Sequence, residues 1–149
     1  MSINGREGNK EVLSKTIVGG TIGVIILMIT FGFVYYLIQG SYAKPTYSFS
    51  NSNLVISGQF GVTIDLSGAT VIQEHSQVPT TETKTNGAAI GNIEKGYFKI
   101  VGTKVYRNVM DKSISNYILI TDKNGSKYYI NCASSEETDN LYIEITKNM

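Results

Sequence analysis

Apolar and polar positions follow three regimes along this chain. The first is unbroken: residues 16–38 run for 23 positions without a charge. A helix of that length is about 34 Å long, enough to cross a hydrocarbon core of about 30 Å. It is apolar on every side, so it has no polar face to turn to water. The second regime alternates. Residues 47–50, 54–57, 62–66, 69–74, 96–101, 105–109, 117–121 and 127–130 carry period-two or densely β-branched patterns, which predict half-buried strands. Turn residues separate them, and Asn124-Gly125 is the strongest hairpin signal. Between residues 75 and 92 the rhythm is lost among Thr80, Thr81, Thr83 and Thr85, and a long loop is expected there. The third regime begins after Cys132. Ser134 and Glu137 have the spacing of a capping box, Glu136, Glu137 and Asp139 crowd a first helical turn, and Leu141, Tyr142 and Ile145 share one side. This predicts a closing amphipathic helix.

The expected organisation is a polar head over residues 1–15, a transmembrane helix over 16–39, a linker over 40–46 containing Pro45, and one domain over 47–149. A chain of that size suits a single core. Charge sharpens the picture. Arg6, Lys10 and Lys15 stand before the span against Glu7 and Glu11, and only Lys44 follows closely. The positive-inside rule therefore predicts a cytoplasmic N-terminus and an extracytoplasmic C-terminal domain. Tyr35, Tyr36 and Tyr42 cluster at the far end of the span, as an aromatic belt does. The apolar run is longer than a signal-peptide core, so an uncleaved anchor is expected, with cleavage after Ala43 as the rival; both export the domain. From Lys44 onward ten basic side chains balance ten acidic ones, which argues against a nucleic-acid partner.

The chemistry of catalysis is sparse. His75 is the single histidine and Cys132 the single cysteine. No spacing suggests zinc, a nucleophile elbow or a phosphate loop. The expectation is no enzyme, no cofactor and no metal. Cys132 is expected to be a buried small hydrophobe. The most basic stretch supplies the candidate ligand-binding residues: Lys84, Asn86, Lys95, Lys99, Lys104 and Arg107.

Strands followed by a closing helix is the order of the pleckstrin-homology (PH)-like fold. Residues 54–61 leading into 62–66, then Thr85-Asn86-Gly87, then Gly96-Tyr97-Phe98, resemble the small bacterial PH-domain family found in membrane-anchored proteins. The resemblance implies a mainly β domain of about seven antiparallel strands, forming a sandwich or partly open barrel capped by a C-terminal α-helix. It implies a membrane setting and no agreed ligand. Residues 47–57, around the first hairpin, contain no Lys or Arg, unlike the phosphoinositide-binding hairpin of eukaryotic PH domains. The chain is thus expected to be a single-pass interaction module for a protein or peptide. The alternatives are an electrostatic binder of anionic lipid or cell-surface polymer, and a subunit of a larger membrane complex.

Overall fold

The apolar run becomes one helix, α1 (Asn4–Tyr42). In this computed structural model residues 4–149 are described, with side chains from Val18 onward. The segment Val18–Tyr42 is long and apolar enough to cross a membrane. The chain divides into two units after Gln39, and the second unit carries the rest of the fold.

That second unit holds nine strands: β1 (Thr46–Ser50), β2 (Asn53–Ser57), β3 (Val62–Asp65), β4 (Thr70–Glu74), β5 (Thr83–Ile90), β6 (Ile93–Ile100), β7 (Thr103–Val109), β8 (Tyr117–Thr121) and β9 (Lys127–Asn131). They are followed by α2 (Ser135–Lys147). The strands form a three-stranded sheet, β1-β2-β3, and a six-stranded sheet ordered β4-β8-β9-β7-β6-β5. Leu54, Ile56 and Ile64 from the small sheet meet Tyr106, Ile118, Ile120 and Ile130 from the large one, and Leu141 and Ile145 of α2 complete this core. Each such side chain contributes about 1.5–3 kcal/mol when fully buried. The start of α2 is built as its sequence predicts: the Glu137 N–H donates to the Ser134 hydroxyl at 3.1 Å, and the Glu137 carboxylate accepts from the Ala133 N–H at 3.3 Å. Cys132 is buried in the core, and burial raises its thiol pKa.

The domain holds nine strands where about seven are expected, and two further expectations are corrected. The strands are not all antiparallel, because β7 and β9 pair in parallel, Tyr106 opposite Tyr128 and Val109 opposite Asn131. The connection after β7 crosses the end of β9 and is pinned there by Asn131. Its side-chain oxygen accepts from the Met110 N–H at 2.8 Å and its amide donates to the Asp111 carbonyl at 2.8 Å. A side-chain anchor of this kind leaves no periodic trace. The second correction concerns residues 75–92. They are not one long loop, since β5 lies within them and pairs with β6 along its length. The strand sits at the edge of the sheet and most of its side chains are exposed. Its hold is therefore backbone hydrogen bonding, and it needs no apolar alternation.

The segment joining β4 to β5 is packed as well. It lies on the outer face of the large sheet, where Val78 joins Val105, Val109, Tyr117 and Tyr129 in a second, smaller core. Arg107, fully buried, donates from Nη1 to the Pro79 carbonyl at 2.6 Å. Its Nε lies 2.7 Å from the carboxylate of Glu94, also buried. Thr81 and Lys112 reach the other Glu94 oxygen, each at 3.3 Å. A buried carboxylate and guanidinium are tolerated only when paired in this way.

Candidate functional site

Side chains alternate across a strand, so the registers sort the six sequence candidates between two faces. Arg107 and Lys84 belong to the outer face, opposite Gly96 and Phe98 respectively. Arg107 is consumed by Glu94 and Pro79, and burial lowers its pKa. Lys95, Lys99, Lys104 and Asn86 belong to the inner face. Lys95 is buried and its ammonium donates to the Ala43 carbonyl; desolvation lowers its pKa. Lys95 and Arg107 are therefore not part of an exposed basic surface. Asn86, Lys99 and Lys104 are exposed and fall together.

They fall beside residues that the sequence did not single out. Following the register across four strands gives one row on the inner face: Asn86, Tyr97, Tyr106, Tyr128. The Tyr97 and Tyr106 rings meet edge to face with centroids 5.5 Å apart, and Tyr106 and Tyr128 lie 6.0 Å apart at a tilt of 52°. Aromatic pairs favour such offset and edge contacts over flat stacking. The Tyr106 hydroxyl donates to the Phe60 carbonyl at 2.7 Å, and that of Tyr128 to the Asp122 carboxylate at 3.2 Å. Both rings are thereby fixed in place. The next step along the strands places Lys99 directly opposite Lys104. The Lys104 ammonium stands 4.4 Å from the Tyr97 ring centroid, within cation–π range.

Beside them lies a cleft of about 250 Å³ lined by Tyr97, Lys104, Val105, Tyr106, Ser126, Lys127 and Tyr128; Asn86 and Lys99 stand outside its lining. Its lysines have no carboxylate partner among the described residues. Among the described residues Lys44, Lys112, Lys123 and Arg107 each pair with a carboxylate, whereas Lys99, Lys104 and Lys127 form no ion pair. Lys84, Lys95 and Lys147 also lack one, but none of them lines the cleft. Asp122, the nearest acid in the hairpin, is already engaged by the N–H groups of Asn124 and Ser126 at 2.8 and 2.9 Å and by Tyr128.

A second groove of about 290 Å³ lies beside α2, lined by Lys44, Tyr47, Cys132, Glu137, Asn140, Leu141 and Glu144. Its one lysine is held by Glu137 at 2.8 Å, so it offers an incoming anion less. No group of three His, Cys, Asp or Glu side chains that could hold a metal occurs among the described residues.

The tyrosine row was hidden in the sequence because Tyr128 reaches Tyr106 only through the parallel pairing. The available signal was composition: ten tyrosines and no tryptophan, several at inward strand positions. Fold and cleft together define a mostly β domain with a cation-rimmed aromatic cleft, on a chain that begins with one membrane-compatible helix. No protein-family profile, curated protein or solved structure matches the chain.

Proposed function

We propose that this chain is a single-pass, membrane-anchored binding module without catalytic activity, and that its partner is anionic. The carrying observation is the set of unpaired lysines, Lys99, Lys104 and Lys127, around the tyrosine row. Like charges placed directly across a sheet repel, and a bound anion relieves that repulsion. An extracytoplasmic domain, read from the charges flanking the anchor, makes a cell-surface polymer the fitting partner. The PH-like reading is supported by element order, strands first and a core-packed helix last; the parallel β7–β9 pair departs from it. A peptide partner has one specific support. β5 ends its sheet with its outer edge unpaired among the described strands, the geometry that accepts an added strand.

The test is retention of the full-length chain, in neutral detergent, on an immobilised sulfated polyanion. Retention is expected to fall steeply with added salt, since exposed charges are screened. The triple variant K99Q/K104Q/K127Q is expected to lose it. The triple variant K44Q/K112Q/K123Q, with the same change in net charge, is expected to keep it. Equal retention of both triple variants would sink the proposal.

A further inference from the structure

We infer that the cleft takes an acidic sugar ring, one carboxylate-bearing unit of a polysaccharide at a time. This deepens the anion-binding reading and rests on it. Size comes first. Pockets for drug-sized ligands start at about 300 Å³, and this one, at about 250 Å³, suits a single ring whose neighbours extend into solvent. The floor comes second. Tyr97 and Tyr128 are half-buried and flank the buried Tyr106, tilted against it by 72° and 52°, so the two outer rings form the walls of a cup rather than a flat slab. The Tyr128 hydroxyl is already given to Asp122, which leaves the exposed part of its ring as carbon and π surface facing the cup. The C–H faces of a sugar ring are the complement of that surface: they carry partial positive charge and meet the negative face of an aromatic ring.

The rim comes third. Lys104 and Lys127 line the cup and Lys99 stands opposite Lys104, so a carboxylate on the ring meets ammonium groups as its C–H face settles on tyrosine. A flexible polyphosphate uses the lysines and gains nothing from the aromatic floor. A neutral sugar uses the floor and gains nothing from the lysines. The site is built for both at once.

The experiment titrates the full-length chain in neutral detergent with three probes: an oligogalacturonide, a polyphosphate of similar charge, and a neutral gluco-oligosaccharide. Tyrosine fluorescence, undisturbed by tryptophan, and calorimetry are the readouts. The oligogalacturonide is expected to bind tightest. Tyr97→Leu is expected to weaken that probe by about tenfold or more and to leave polyphosphate unchanged, while Lys127→Gln weakens both charged probes. Lys127 is exposed, so its variant tests the rim even if the Tyr97 substitution disturbs folding. Polyphosphate binding as tightly as the oligogalacturonide, with Lys127→Gln weakening both and Tyr97→Leu neither, would overturn the sugar inference and leave the anion reading standing. Binding of no charged probe, or equal binding of the neutral sugar, would overturn both.

Discussion

Gly96 shows how much one residue decides. Its φ is +105°, in the region that side chains other than glycine rarely adopt. A Cβ added there would lie 2.4 Å from the Asn86 carbonyl oxygen and 2.6 Å from the Gly87 Cα. Gly87, opposite it, would place a Cβ 2.3 Å from the Lys95 carbonyl oxygen. The two glycines let β5 and β6 approach closely next to the row that holds Asn86 and Tyr97. Gly96→Ala is therefore expected to cost about 1–3 kcal/mol, read as a lower urea midpoint at unchanged slope. Asp65 illustrates charge at the same scale. The Lys123 ammonium, 2.7 Å away, and the Ser67 N–H hold its pKa down to about 2 from the usual 3.8. The folded form thus binds this proton more weakly than the unfolded chain. The stabilisation is complete above the ordinary value and is lost as pH falls through about 2. Titration of the Asp65 carboxyl by NMR is expected to show that low midpoint, and Lys123→Gln to move it upward.

Among elements, the segment between β4 and β5 departs furthest from its sequence pattern. Threonines and a proline gave it the look of a solvent loop, yet Val78 and the Arg107–Glu94 pair bind it to the sheet. Arg107→Met alone leaves Glu94 buried with only Thr81 and Lys112, and a loss of about 3–5 kcal/mol is expected. The double variant R107M/E94L removes both charges and is expected to recover most of it, as a double-mutant cycle in urea would show. This contrast explains what the sequence could and could not reveal. The long apolar helix, eight of the strands, the Asn124-Gly125 hairpin and the capped α2 were legible because each is set by local periodicity, turn chemistry or capping. β5, the packed segment before it and the β7–β9 pairing rest on contacts between distant residues, and so does the tyrosine row. Of the six candidate site residues, Asn86, Lys99 and Lys104 came from a count of charges and polar groups that happened to fall on one face. The same count could not distinguish them from Lys95 and Arg107, whose environments are buried.

At the scale of the whole molecule, the flanking charges make a prediction of their own. With Arg6, Lys10 and Lys15 before the span, protease added to intact cells is expected to cleave the C-terminal domain. Protection in intact cells with cleavage after lysis would reverse the orientation and turn the search toward inner-leaflet and cytoplasmic anions. The tyrosine row carries a different consequence. It crosses the one parallel junction among the described strands, with Tyr97 and Tyr106 on the β5–β7 meander and Tyr128 on the β8–β9 hairpin. Neither half has a cup without the other. On the proposed reading, a chain whose last hairpin has not docked lacks half of its binding site, so ligand binding is coupled to the completion of folding. A ligand seated there acts as a clasp across the seam: by mass action it favours the fully assembled sheet, and only finished molecules compete for it.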